Sequence, residues 1–368
     1  MKFGKLTAFL LAAGLSAAMD GVAADSCIAK GDERVINAAL RAATSVTLCR
    51  NAVFEIFHTI ELNTDGQELF TRGQPTDDSR AVIRVVGDEL ATAVQSRASN
   101  IFLHDVVIDG QRPALGRLDR GGALIEVGGD VTGVRVEHVR AFDPRGWSTL
   151  HVFEGARHCT NARVIGNTIG PAGTAVGNMW ADGISFACRN GLVADNTVVD
   201  ASDGGIVIFG APGTIVENNI VKSRHNVMLG GINLVDYRPF DGDYSGVIVR
   251  GNRIETRGGF MKIAIAIGPA AWGIGTLEQT NRGGTVVGNL ISGDGFGYGI
   301  VVDGASDFTV TGNHVSGHSK GWSGERCDKN HAPPGLKYLR DPNATAGSYQ
   351  TNFRRGIARW SICVQPPR

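Results

Sequence analysis

The chain carries no excess of either charge, since 36 lysines and arginines balance 36 aspartates and glutamates over 368 residues. Nucleic acids and anionic membrane surfaces attract proteins through basic patches that act over long distances. The balance therefore excludes both as general partners. Proline is scarce, with 12 residues, and the 51 glycines follow no G-X-Y period, which excludes a collagen-like chain.

Long apolar runs are also missing beyond the N-terminus, so no membrane span is predicted there. Residues 1–24 combine Lys2 and Lys5, an apolar run and the ending Val22-Ala23-Ala24. This is the pattern of a cleaved signal peptide. We expect a mature chain that begins at Asp25 and is secreted or periplasmic.

The cysteines lack the CxxC spacing of zinc sites, and no metal site is predicted from them. Six cysteines in an exported chain favour three disulfides. Pairing between sequence neighbours predicts the disulfides Cys27–Cys49, Cys159–Cys188 and Cys327–Cys363.

What the sequence does contain is an internal repeat. An asparagine flanked by apolar residues, in the order apolar-x-x-Asn-x-apolar, recurs at intervals of roughly 22 to 37 residues. The six asparagines are Asn167, Asn196, Asn218, Asn252, Asn289 and Asn313. We expect them to form a column at one bend, each in left-handed backbone geometry and hydrogen-bonded to its neighbours.

Short β-branched strands bracketed by glycine precede these motifs, and none has a helical period. Such units bury an apolar face only by stacking on one another. The sequence therefore predicts an all-β chain, folded as a single right-handed parallel β-helix. Residues 25–80 form the N-terminal cap, with an amphipathic helix over Glu33–Ala43, and the first coils; residues 81–319 form the repeats and 320–368 a loop-rich C-terminal cap.

Polar residues that recur once per coil build a row on one face, because paired strands lie about 4.8 Å apart. Asp182, Asp203, His225 and Lys262 each stand near the start of the corresponding strand in successive coils. Two neighbouring carboxylates suit glycoside hydrolysis, in which one donates a proton and the other activates water or attacks the sugar. A ladder of turn residues is the structural alternative, since Asp-Gly pairs are common bends.

The order Asp182-Gly183-Ile184, Asp203, His225 and Lys262 resembles that of the polygalacturonases, glycoside hydrolases of the pectin lyase-like superfamily. The resemblance implies that Asp182 acts as a base, Asp203 as the proton donor, His225 as its support and Lys262 as a ligand of the substrate carboxylate. Gly204 and Phe260 stand where that family has an aspartate and an arginine.

A second resemblance keeps another reaction open. Phe142-Asp143-Pro144-Arg145 is similar to the FDPH signature of mannuronan epimerases and related lyases, with Arg145 in place of the histidine. It implies removal of a C5 proton by a basic residue at the position of Arg145, with Arg145, Arg224 or Lys262 against the uronate carboxylate to make that proton easier to remove. A third alternative is a non-catalytic glycan-binding or adhesive solenoid.

Further side chains are candidates for binding a polysaccharide along this face. Indole rings stack on sugars, and long loops on a solenoid wall a groove. The substrate-binding candidates are Lys262, Arg224, His151, Glu154, Trp180, Trp147, Asn233 and Asp236. We expect a monomer without a cofactor; Ca²⁺ would be bound only by a lyase, for example through the acidic loop 236–244.

Overall fold

The computed structural model describes Met1 and residues 27–273, 278–321 and 336–359. Within these ranges the strands wind through three sheets in turn, and every pairing between them is parallel. The chain is a right-handed parallel β-helix, as predicted.

The strands of the first sheet are β1 (Ser45–Leu48), β4 (Glu68–Thr71), β7 (Phe102–His104), β10 (Arg135–Glu137), β13 (Arg163–Ile165), β16 (Leu192–Ala194), β19 (Ile215–Glu217), β22 (Ile248–Arg250), β25 (Asn281–Arg282), β26 (Thr285–Val287), β29 (Ala305–Thr311) and β32 (Thr345–Tyr349). The second sheet contains β2 (Val53–Ile56), β5 (Ala81–Val85), β8 (Val106–Asp109), β11 (Arg140–Phe142), β14 (Thr168–Ile169), β17 (Thr197–Val199), β20 (Ile220–Ser223), β23 (Arg253–Thr256), β27 (Leu290–Ser292) and β30 (His314–Val315). The third contains β3 (Ile60–Leu62), β6 (Val94–Ser96), β9 (Ile125–Gly128), β12 (Ser148–Phe153), β15 (Asp182–Phe186), β18 (Gly204–Ile208), β21 (Val227–Leu234), β24 (Phe260–Ile267), β28 (Phe296–Val302), β31 (Tyr338–Arg340) and β33 (Arg354–Arg355). The helices are α1 (Glu33–Ala42), α2 (Arg112–Leu115), α3 (Pro269–Trp272) and a 3-10 turn, Val176–Asn178.

Apolar side chains at equivalent strand positions stack along the axis and fill the interior. In the first sheet Val136, Val164 and Val193 are consecutive partners, and in the second Ile169 and Val198 are. All five are fully buried. Burial of apolar surface contributes about 25 cal/mol per Å², and in these stacks it is the main favourable contribution to the free energy of folding. A single coil cannot bury its own apolar face, so this contribution requires stacked coils.

The asparagine column is present, but one member was assigned wrongly. Each buried asparagine donates to and accepts from its neighbours, as in the contact between Asn196 Nδ2 and Asn219 Oδ1 (2.9 Å). The column contains Asn167, Asn196, Asn219, Asn252, Asn289 and Asn313. Asn218 is exposed and lies one residue outside it. A slip of one residue turns a side chain to the opposite face.

The left-handed geometry was also placed on the wrong residue. It belongs to the residue before each column asparagine, which is Gly166, Asp195, Asn218, Gly251, Gly288 or Gly312. Asn218, for instance, has φ 57°. Glycine, asparagine and aspartate tolerate this conformation best, which accounts for part of the glycine excess.

Close packing between coils accounts for another part. A Cβ atom at Gly183 would lie 2.5 Å from the carbonyl oxygen of Gly205. A Cβ atom at Gly205 would lie 2.6 Å from that of Gly231. Any larger residue here would push neighbouring coils apart.

Helix α1 caps the open first coil, as predicted. The carboxylate of Asp32 accepts a hydrogen bond from the backbone N–H of Arg34 and so caps the helix N-terminus. Ile36 and Leu40 are buried in the core. At the other end, β31, β32 and β33 extend the sheets, so the C-terminal segment continues the solenoid in part.

The structure pairs Cys27 with Cys49 and Cys159 with Cys188, as predicted. Cys327 and Cys363 lie outside the described residues. No helix in the described part of the chain is long and apolar enough to cross a membrane.

Candidate functional site

A cleft of about 240 Å³ opens on the outer face of the third sheet. Its residues come from β15, β18 and β21, from the segments next to these strands, from the residue before β12 and from the end of α3 after β24. They are Trp147, Asp182, Asp203, Val207, Phe209, Asn233, Val235, Asp236 and Trp272. Three carboxyl groups therefore share one cleft with aromatic walls.

Asp182 is the most firmly held of the three. It begins β15, where one carboxylate oxygen accepts from the N–H of Gly204 (2.8 Å) and the other from the hydroxyl of Ser185 (2.9 Å). Ser185 in turn contacts the hydroxyl of Ser148 at 2.9 Å. The side chain of Asp182 is 6% exposed, so these contacts fix both its place and its orientation.

Asp203 and Asp236 reach the cleft from the two neighbouring coils. Asp203 directly precedes β18, and its N–H donates to the carbonyl of Ala181. Asp236 follows β21 and begins the acidic loop. The buried hydroxyl of Tyr244 anchors that loop by donating to the carbonyls of Ile208 (2.7 Å) and Asp236 (3.0 Å). Both carboxyl side chains remain partly exposed.

Burial raises the pKa values of all three, and the charge of Asp203 raises those of Asp182 and Asp236 further. Burial raises the pKa of Asp203 to about 6. Burial and the charge of Asp203 raise the pKa of Asp236 to about 7. Burial, followed by the charges of Asp203 and Asp236, raises the pKa of Asp182 well above its ordinary value. Near neutrality the cluster thus holds both protons and negative charge, as acid–base catalysis requires.

This cluster should destabilise the fold as the pH rises. A carboxyl whose pKa is raised by folding contributes stability below its unfolded pKa, near 4, and that contribution is lost as pH rises through the folded value. We expect Asp203→Asn to raise the free energy of unfolding by about 1–3 kcal/mol at pH 8. At pH 4 the change should be near zero. Urea unfolding at both pH values measures the difference, and an equal effect at both would contradict it.

Aromatic side chains form the walls. Trp147 is 37% exposed and precedes β12, while Trp272 ends α3 in the insertion after β24. Phe209 follows β18. Val207, Phe209 and Val235 were not identified from the sequence as lining residues, because apolar residues in or beside a strand resemble core residues.

His151 packs behind this aromatic wall, with its ring 4.8 Å from that of Trp147 and 6.4 Å from that of Phe209. Burial lowers the pKa of His151 to about 4, which keeps it neutral.

His225 does not join the cleft, and its placement beside Asp203 was wrong. Its backbone N–H and that of Arg224 donate to the carboxylate of Asp200 at the bend before β21. Both side chains are exposed. Between β18 and β21 the partner of Gly204 is Gly230, so the position after Asp203 in the row belongs to Leu229.

Lys262, Trp180 and Glu154 also lie outside the cleft lining. The Lys262 ammonium is 6.0 Å from the centre of the Trp180 ring, and burial lowers the pKa of Lys262 to about 8. Trp180 packs on an outer apolar cluster with Leu229. The carbonyl of Glu154 accepts the N–H groups of the turn after β12.

Arg145 has a structural role. It is 3% exposed, and its guanidinium donates to backbone carbonyls of residues 87, 88, 90, 115 and 116. With its donors committed to these carbonyls, it is not placed to remove a sugar proton. Asp143, from the same motif, lines a second cleft of about 280 Å³ with Arg112 and Arg117.

Solved structures with similar folds include an alginate lyase from Paenibacillus sp. str. FPU-7, with TM-score 0.53 and 14% identity over 89% of this chain and 99% of that one. The catalytic domain of a GH87 α-1,3-glucanase in complex with nigerose has TM-score 0.50 and 13% identity over 85% of this chain and 56% of that one. Endopolygalacturonase I from Stereum purpureum, complexed with two galacturonates, has TM-score 0.50 and 13% identity over 85% and 95%.

The chain shares the parallel β-helix fold of these structures. No protein-family model matches the chain, and no curated protein matches it in sequence. The three similar structures are polysaccharide-active enzymes of more than one reaction class, so the fold alone does not select the reaction.

Proposed function

We propose that the protein is an exported glycoside hydrolase that cleaves a polysaccharide at the cleft of Asp182, Asp203 and Asp236. The observation that carries the proposal is the convergence of three carboxyl groups with raised pKa values between two indole rings. The two disulfides are typical of an oxidising compartment and support export. We propose that the enzyme needs no cofactor.

In this mechanism one carboxyl gives its proton to the glycosidic oxygen as the bond from that oxygen to the anomeric carbon breaks. In a direct displacement, water forms the new bond to that carbon and gives a proton to a second carboxylate, so the two carboxyls exchange protonation states. With a glycosyl-enzyme intermediate, the second carboxylate first bonds to the carbon, and water then displaces it while returning a proton to the first carboxylate. Either route gives two free sugar ends.

The order of the pKa values assigns the roles differently from the polygalacturonase resemblance. Asp203 ionises first, with a pKa of about 6, and we assign it the base or nucleophile. Asp236 keeps its proton to about pH 7 and is the proton donor. Asp182, whose carboxylate accepts from Gly204 and Ser185, holds the backbone next to Asp203 in place.

Activity should follow a bell-shaped pH profile. The rate rises with pH as Asp203 ionises near pH 6 and falls as Asp236 loses its proton near pH 7. We expect the maximum of kcat/KM between these values. A maximum above pH 8 would contradict the assignment and would suit a basic catalyst instead.

Product analysis tests the reaction class. A hydrolase yields saturated oligosaccharides, each cleavage adding one water to the product mass. A lyase would give unsaturated uronates that absorb ultraviolet light, and an epimerase would leave the chain length unchanged. Retention of a polysaccharide on the immobilised protein without any product would instead favour a glycan-binding solenoid.

A further inference from the structure

Among the residues that the structure describes, no basic side chain lines the carboxylate cleft. Its lining, within the described residues, includes three aspartates, one asparagine and five apolar or aromatic residues. A sugar carboxylate placed here would meet like charges and no cation. An unpaired charge in a partly desolvated site costs several kcal/mol, so this composition disfavours a uronate at the reacting position.

The two basic residues that were expected to recognise a uronate lie elsewhere. Arg224 is exposed at a bend of the chain where its N–H contacts Asp200. Lys262 is 5% exposed and close to Trp180, which is not part of the cleft lining.

Asn233, in contrast to these basic residues, lies in the cleft and has a side-chain amide that can bind a ligand. It lies on β21, is 1% exposed and lines the cleft. Neither its amide nitrogen nor its amide oxygen has a hydrogen-bond partner within the described residues. Buried amides are almost always hydrogen-bonded, so two unsatisfied atoms in a cleft point to a bound partner.

Two glycines leave the room that this amide occupies. A Cβ atom at Gly204 would lie 2.5 Å from Asn233 Nδ2 and 3.2 Å from Asp182 Oδ1. A Cβ atom at Gly230 would collide with Asn233 Oδ1 and lie 2.8 Å from the Trp272 ring. The amide therefore packs on the bare backbone of these glycines, near the carboxylate of Asp182 and the indole of Trp272, and it lines the cleft.

We propose that the reacting position takes a neutral hexopyranosyl unit and that Asn233 holds two of its adjacent hydroxyls, donating to one and accepting from the other. Trp147 and Trp272 present apolar faces to the sugar ring. This inference rests on the proposed function and adds its substrate class.

A panel of polymers separates the inference from the function on which it rests. Starch, dextran, laminarin, an α-1,3-glucan, a mannan and a galactan are incubated with the full-length protein beside polygalacturonate and alginate. New reducing ends are counted and product masses measured. Hydrolysis of a neutral polymer and of neither uronate polymer is expected. Hydrolysis of a uronate polymer overturns the inference and leaves the hydrolase intact, while hydrolysis of no polymer contradicts both.

Variants of Asn233 test the amide itself. Asn233→Leu removes donor and acceptor at similar size, and Asn233→Asp keeps an acceptor but adds a fourth carboxyl. We expect each to lower kcat/KM on the cleaved polymer about 100-fold or more. The exposed Asn63→Leu should have no effect on activity.

If Asn233 had only a structural role, its variants would change the melting temperature and leave the activity unchanged. Because the amide of Asn233 has no partner in the free protein, Asn233→Leu should leave the melting temperature unchanged or raise it. A lower melting temperature with unchanged kcat/KM would overturn the binding role.

Discussion

Asp203→Asn is expected to lower kcat by about 10³-fold, with little change in the folded structure. The substitution keeps the shape of the side chain but removes the carboxylate that ionises first in the cleft. Turnover is measured on whichever polysaccharide the protein cleaves. Activity within a few-fold of the unmodified protein would contradict the assignment of Asp203.

Asp236→Asn should lower kcat on the polysaccharide by a similar factor. The reason differs, and a second substrate can distinguish it. Without its proton donor the enzyme fails only when the leaving group needs a proton. An aryl glycoside with an acidic phenol leaves unprotonated, so Asp236→Asn should retain most activity on it, whereas Asp203→Asn should not. If Asp203→Asn retains the activity instead, Asp203 is the proton donor, as the polygalacturonase resemblance implies.

Asp78→Asn provides the matched control for both substitutions. Its side chain is 97% exposed and contacts Arg140 at 3.6 Å on the surface. Exposed ion pairs contribute at most about 1 kcal/mol to stability. Neither activity nor stability should change measurably.

The sequence was sufficient for the architecture because every coil repeats the same physical solution. Stacked apolar residues, buried asparagines and glycines at close contacts each recur once per coil, so an error at one position does not change the predicted fold. At Asn218-Asn219 the wrong asparagine was assigned to the column, because apolar residues flank both and either one fits the motif. Only the observed register, with Val216 opposite Val193, selects Asn219.

The predicted row of polar residues is reproduced only in part. Asp182 and Asp203 share the cleft, but they are one residue out of register, because Ile184 pairs with Ile206 and Gly204 therefore lies opposite Asp182. The next coil is longer, so His225 falls at the bend and Leu229, the partner of Lys262 in the register, takes its place in the row. Asp236 was predicted as a substrate-binding residue and not as a partner of the other two carboxyls, because its position depends on the Tyr244 anchor 8 residues later.

Breaking the asparagine column should have the largest effect on stability. The Asn219 amide donates to Val193 O (2.8 Å) and Asn252 Oδ1 (2.9 Å), and its oxygen accepts from the backbone and side chain of Asn196. Asn219→Gly leaves these fully buried partners unsatisfied, at about 1–3 kcal/mol for each group that finds no water. We expect a loss of about 3–5 kcal/mol in the free energy of unfolding, measured by urea denaturation.

Asn218→Gly is the control that separates the loss of a buried amide in the column from the change in backbone freedom. Both substitutions remove the same side chain and add the same freedom to the unfolded chain, but Asn218 is exposed and left-handed, with φ 57°. Glycine already occupies this position in four other coils, at Gly166, Gly251, Gly288 and Gly312. Asn218→Gly should therefore change stability by less than about 1 kcal/mol. Equal losses at both positions would mean that the bend, and not the chain of buried amides, holds neighbouring coils in register.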